Sequence, residues 1–322
     1  MEGVTLWMII GFLLAGYSVI GNDSVQTLGT FIASNKRFKW YYLWMFIAGI
    51  LVATLTYSWV TTGGDISFGR LTKIPFVEIQ WYHACAPLAL VILTRFGIPV
   101  STSLLVLSAF ASSLVFEKIL IKSALGYGIA ATSAYVLWLL LSRWDEHKDP
   151  IKPEHEGRWR VFQWVSTGFL WFSWLSHDMA NIAVFLPREL SLTMLIFVLL
   201  VFVGGLAYTF REQGGKIQDI VLSKKDTTYV RSATFVDLFY AFLLLYFKQY
   251  NDIPMSTTWV FVGMLCGREL AIATVQSASY KVKHVFPIIG KDMMKLLVGL
   301  GVSVVIAILI QNVDFIASLF SS

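Results

Sequence analysis

Asp23 and Asp178 make the strongest case for chemistry in this chain. Each lies inside a long apolar stretch, residues 4–33 and 160–187. An ionisable group in a bilayer core costs at least about 2.5–3.5 kcal/mol. Such an acid is either paired to a buried base or put to use. The first stands in Gly21-Asn22-Asp23-Ser24 and the second in Ser176-His177-Asp178-Met179, 155 residues later. A straight crossing takes about 20 residues, and both stretches exceed that. A break at each polar motif is therefore expected, tolerated at that depth only where it lines a polar cavity. Free carbonyls at the break, with the Asp23 or Asp178 carboxylate, would form a hard-oxygen site for Na+ or a proton. His177 beside Asp178 adds a group that titrates near neutral pH.

A second pair of motifs suits the opposite charge. Ile98-Pro99-Val100-Ser101-Thr102-Ser103 is answered by Ile253-Pro254-Met255-Ser256-Thr257-Thr258, again 155 residues on. Proline favours the first turn of a helix. Ser101, Thr102, Ser103, Ser256, Thr257 and Thr258 are then expected at helix N-termini. Free N–H groups, the positive dipole end and the hydroxyls there favour an oxyanion. Plain N-capping is the alternative use of such residues. Two copies paired with two intramembrane acids favour the anion site. Asp237 and Glu117, in or near apolar segments, are candidates for proton relay or for a segment end. His83 and Glu78 read as structural or interfacial.

These residues need elements to hold them. Ten apolar segments are expected, at about 4–20 (with a tail to 33), 41–60, 80–94, 99–121, 124–142, 160–175 (with a tail to 187), 191–210, 232–248, 254–274 and 296–316. The chain of 322 residues is 57% hydrophobic and only 14% charged, with a mean hydropathy of +0.68. Soluble domains carry about 25% charged residues. The expectation is an all-α, multi-pass membrane bundle. The polar stretch 143–159 divides it into a first repeat, residues 1–142, and a second, residues 160–322. A third match, Gly63-Gly64-Asp65-Ile66 with Gly214-Gly215-Lys216-Ile217, falls between the other two in each half. Five segments per copy would put the second copy in the membrane upside down, the inverted repeat common among secondary transporters.

Basic residues orient the bundle. With both termini outside, 19 of the 25 Lys and Arg fall in inner loops and 6 remain outside. Cys85 and Cys266 suggest neither a disulfide framework nor a metal site. The sequence contains no P-loop, dinucleotide fingerprint, nucleophile elbow or metal-ligand cluster. An enzyme, an ATP-driven pump and a nucleic-acid partner are all disfavoured.

At the quoted motifs the chain resembles the inorganic phosphate transporter (PiT) family, including its sulfate-permease relatives. That family carries a duplicated Gly-Ala-Asn-Asp-Val-Ala-Asn-Ala signature, each copy followed by Pro-Val-Ser-Thr-Thr-His. Here Ile20-Gly21-Asn22-Asp23-Ser24-Val25-Gln26 and Leu175-Ser176-His177-Asp178-Met179-Ala180-Asn181 stand for the first element, and Gly214–Val221 looks like a Gly-rich element of the family. The resemblance implies cation roles for Asn22, Asp23 and Asp178, with Asn181 completing the anion site. Gln26 and His177 replace asparagines of the pattern, and Leu104 and Trp259 replace its closing histidines. The coupling ion, Na+ or H+, therefore stays open.

The resulting expectation is a secondary active symporter for inorganic phosphate in the cell (inner) membrane, without an organic cofactor. The family suggests a homodimer. A proton-coupled sulfate permease and an anion channel are the alternatives.

Overall fold

A computed structural model describes residues 4–111, 113–141, 151–224, 229–249, 255–275 and 282–313. Its helices, in chain order, are α1 (Leu6–Gly21), α2 (Asp23–Ser34), α3 (Trp40–Thr61), α4 (Cys85–Arg95), α5 (Thr102–Leu105), α6 (Ser113–Leu141), α7 (Pro153–Asp178), α8 (Ala180–Ala183), α9 (Leu192–Arg211), α10 (Gln218–Leu222), α11 (Val230–Gln249), α12 (Thr257–Val275) and α13 (Val282–Gln311). Short 3-10 turns fill several of the connections, and no strand occurs among the described residues.

Seven helical stretches are long and apolar enough to cross a bilayer: Leu6–Ser34, Trp40–Thr61, Leu114–Leu141, Leu192–Arg211, Val230–Phe247, Thr257–Val275 and Val282–Gln311. Their outward faces are greasy, with Leu13, Leu140, Leu200 and Phe286 exposed. The interior holds Asn22, Asp23, Gln163, His177, Asp178, Asp237 and Arg268. Apolar outside and polar inside is the pattern expected where lipid is the solvent, because ionisable groups turn toward the bundle interior. The molecule is an all-helical, multi-pass membrane protein.

Packing relations recur in the two halves. α1 packs on α4 and α9, while α7 packs on α11 and α3. α3 packs on α9. α6 lies along α12, and α13 touches both α12 and α5. The α6–α12 seam is close enough to need glycine. A Cβ at Gly263 would lie 2.5 Å from the Tyr127 carbonyl oxygen, and one at Gly267 1.9 Å from that of Ala131. Small residues four apart let two backbones approach without lipid between them.

Several expected boundaries move. The expected segments 99–121 and 124–142 become the short α5, a 3-10 turn at Leu107–Ala109, and one 29-residue helix, α6. Lys118, inside the first of these segments, and Lys122, between the two, both lie within α6, where a long stem can carry its charge toward the interface. Glu117, a relay candidate, is exposed on the same helix. The expected segment 296–316 instead begins at Val282 and continues through Pro287. Part of the expected linker is helical. α7 starts at Lys152-Pro153, with Glu154 and Glu156 in its first turn, which suits a helix N-terminus. The rest of the linker, residues 142–150, and Pro254 lie outside the described residues.

The glycine motifs end α3 and α9 alike. Gly64 donates to the Trp59 carbonyl at 2.8 Å and Gly214 to that of Thr209 at 2.9 Å. Gly63 and Gln213, one residue earlier, both have positive φ, 70° and 53°. The geometric partner of Gly214 is therefore Gly64, one place on from the sequence match. The left-handed conformation tolerates a non-glycine residue here at a modest cost.

Candidate functional site

The two acids sit where helices are interrupted. Asn22 separates α1 from α2, and Met179 separates α7 from α8. Neither interruption frees much backbone. Asn22 N–H still donates to Ser18, and Gln26 N–H to the Asn22 carbonyl. Met179 N–H donates to Leu175, and Ala183 N–H to the Met179 carbonyl. The carbonyls expected at the breaks are thus already bonded. Carbonyls that reach the site come instead from the extended residues before the Ser-Thr elements, Val100 and Met255. Lying outside any helix, these carbonyls are taken up by side chains.

The two Ser-Thr elements close on the two acids in the same way. Thr102 donates its hydroxyl to Asp23, and Thr257 donates to Asp178, each pair 79 residues apart in sequence. The Ser101 hydroxyl accepts from Leu104 N–H and the Ser256 hydroxyl from Trp259 N–H, both at 3.1 Å. Two further bonds cross between the halves. Ser103 donates to the Met255 carbonyl at 3.1 Å, and Thr258 donates to the Val100 carbonyl at 3.1 Å. Ser103 also reaches Asn181 Oδ1 at 3.1 Å, and Thr258 reaches Asp23 at 3.4 Å. Asn22 bridges Asp23 and the Val100 carbonyl, each at 2.7 Å, and Gln26 donates to Asn22 at 2.9 Å. His177 Nδ1 lies 3.2 Å from Asp178, both residues fully buried.

All twelve residues singled out in the sequence therefore fall in one buried region, none more than 5% exposed. They do not separate into an anion group and a cation group. The hydroxyls expected to hold the anion already donate to the acids expected to hold the cation. The two Ser-Thr elements also differ as helix termini. α12 runs for 19 residues from Thr257, whereas α5 lasts four. A macrodipole is thus available at Thr257 and Thr258. At Thr102 and Ser103 only local N–H groups and hydroxyls are.

Three residues at the site were not foreseen. Tyr240 donates to the Thr257 carbonyl at 3.0 Å, Ser123 accepts from Ser256 N–H at 2.9 Å, and Thr27 bonds back to the Asp23 carbonyl at 2.8 Å. Tyr240 sits in an apolar segment and Ser123 in the gap between two expected ones, neither with a motif around it. Thr27 could have been found as a hydroxyl one helical turn after Asp23. His83 has a structural place, with Nδ1 accepting from Gln80 N–H at 2.9 Å and its ring stacked on Phe110. Glu78 is exposed.

The helix order and the buried double motif can be compared with a known architecture. The fold is similar to that of a sodium-dependent phosphate transporter. The solved structure of that protein aligns with a TM-score of 0.63 at 16% identity, covering 96% of this chain and 98% of that one. The likeness extends over both halves and agrees with the fold that the motif resemblance implied. No family model matches the chain, and no curated protein does.

Proposed function

We propose that this chain is a secondary active symporter that carries inorganic phosphate across the cell (inner) membrane together with Na+ or H+. The observation that carries the reading is the doubled Asp–Thr pair, Asp23–Thr102 and Asp178–Thr257, tied across by Ser103 and Thr258 in one buried centre. The similar fold of a sodium-dependent phosphate transporter supports it.

Residues 1–142 and 160–322 act as the two inverted repeats, with 143–159 between them. Phosphate is held by Thr102, Ser103, Thr257, Thr258 and Asn181, with the N–H groups of the first turn of α12. Ser101 and Ser256 shape the two elements as caps. The coupling ion is taken by Asp23 and Asp178, with Asn22, Gln26 and His177 beside them. Coulomb repulsion makes the coupling obligatory. A phosphate anion cannot join two carboxylates in a weakly screened interior unless cations or protons offset the charge. The burial of every site residue then requires the repeats to rock in order to open the site to either side. A homodimer belongs to the same reading.

The test is uptake of labelled phosphate and labelled sulfate into proteoliposomes, with Na+ and pH gradients imposed separately. Phosphate accumulation driven by one gradient, and lost in Asp23→Asn and Asp178→Asn, is expected. Sulfate accumulation with no phosphate uptake would redirect the substrate. Gradient-independent current would make the chain a channel. The His177–Asp178 pair at 3.2 Å favours protons as the coupling ion, so the pH arm is expected to drive more uptake than the Na+ arm.

A further inference from the structure

Asp237 on α11 is completely buried and lies apart from the site just described. One of its carboxylate oxygens accepts the hydroxyl of Thr30 on α2, and the other accepts that of Thr167 on α7. These are the helices that carry Asp23 and Asp178. Thr30 lies seven residues after Asp23, about 10 Å along the helix. Thr167 lies eleven before Asp178, on the same face at helical spacing.

A row of polar side chains runs from the backbone of Thr30 to one end of the bundle. Ser34, one turn beyond Thr30, donates to the Thr30 carbonyl at 2.7 Å and accepts from Gln163 of α7. Gln163 accepts from Asn35 at 2.8 Å. Arg160, next on α7, donates to Asn35 Oδ1 at 3.1 Å and to Glu156 at 3.3 Å, and Glu156 is partly exposed. Buried polar side chains in a row between two helices are expensive in an apolar core unless they serve one another or a function.

α11 packs against α7, α2 and α12. Among the described side chains, the titratable groups on those helices are Asp23 on α2, Glu154, His155, Glu156, Arg158, Arg160, His177 and Asp178 on α7, Cys266, Arg268 and Glu269 on α12, and Arg231, Tyr240 and Tyr246 on α11 itself. Arg160 pairs with Glu156, His177 with Asp178 and Arg268 with Glu269, while Arg231 lies over the Trp159 ring. Among the described residues none forms an ion pair with Asp237. No three His, Cys, Asp or Glu side chains gather there either, among the described residues. Four oxygens from three side chains, two of them hydroxyls already donating to the carboxylate, make a thin shell for a metal ion. They suit a proton well, because a hydroxyl can turn from donating to a carboxylate to accepting from a carboxylic acid.

We propose that Asp237 is a second proton-binding site, bridging α2 and α7 on the side of the bundle where the Ser34–Asn35–Gln163 row lies. The inference rests on the transport reading only for its purpose; the proton site itself does not depend on the substrate.

The experiment is infrared difference spectroscopy of the purified full chain, titrated from acid to alkaline pH without phosphate. A carboxylic-acid C=O band is expected that vanishes in Asp237→Asn, survives in Asp23→Asn and keeps its pH response at any Na+ concentration. In Thr167→Val, which removes one hydroxyl partner and leaves the carboxyl in place, the band should move to higher frequency. A band absent from wild type, unmoved in Thr167→Val, or removed by Na+ at constant pH overturns the proposal. Phosphate uptake by the same wild-type preparation is assayed in parallel. A band that behaves as expected in a protein that carries no phosphate defeats the transport reading and leaves the proton site standing.

Discussion

At the residue scale, the acids and hydroxyls of this protein define one another. Asp23 and Asp178 are buried carboxyls whose partners include hydroxyls, the Asn22 amide and, for Asp178, the His177 ring at 3.2 Å. Such groups are sensitive to loss of one partner, because a buried acceptor left unbonded costs about 1–3 kcal/mol. Thr257→Val should therefore weaken half-saturation for phosphate by about tenfold or more, the fold-change equivalent of about 1.4 kcal/mol. Thr102→Val should do nearly the same, because its place at Asp23 matches that of Thr257 at Asp178. Concentration dependence of uptake checks both. A tenfold loss in only one of them would mean that the two halves are not used alike. The His177–Asp178 pair has no counterpart at Asn22–Asp23, so some asymmetry in pH response is built into the side chains.

At the element scale, the interruption of a helix and the start of another do the positioning. Asn22 illustrates it. Its side chain spans from Asp23 to the Val100 carbonyl, so one residue fastens the α1–α2 break to the extended chain before α5. The seam between α6 and α12 supports the second Ser-Thr element from behind. A Cβ at Gly267 would meet the Ala131 backbone oxygen at 1.9 Å, and backbone cannot swing aside as a side chain can. Gly267→Ala should cost about 1–3 kcal/mol by overpacking. Gly128→Ala on α6, where nothing lies within 4 Å, should be close to neutral. Unfolding of the two variants in detergent provides the comparison. Equal stability would mean that α12 is not pressed against α6 in the bilayer.

At the scale of the whole molecule, orientation follows from where the charges lie. α3 joins Lys36, just beyond α2, to Thr62, at its own far end, and both are exposed. With the excess of basic residues inside, Lys36→Cys should react with an impermeant maleimide only from the inner face, and Thr62→Cys only from the outer face. Labelling of intact and opened cells reads this directly. The reverse pattern would invert the proposed topology.

The sequence by itself carried the class of the protein and twelve residues that the fold brings into one buried region. Apolar runs, a charge content far below that of soluble domains and two copies of two motifs are local properties, readable one window at a time. The 155-residue offset held for the Asp–Thr pairs, since each acid meets the hydroxyl that the same offset assigns to it. Helix ends were less legible. The expected gap at Lys122 lies within one helix, and the polar residues from Pro153 onward begin α7. A charged side chain marks an interface only after its stem has chosen a direction, and neighbouring helices choose it. The crossed bonds from Ser103 to Met255 and from Thr258 to Val100, and the meeting of Thr30, Thr167 and Asp237, were decided only by tertiary structure. Those partners are far apart along the chain. No spacing rule predicts which faces of α2, α5, α7, α11 and α12 turn toward one another once lipid has taken the apolar ones.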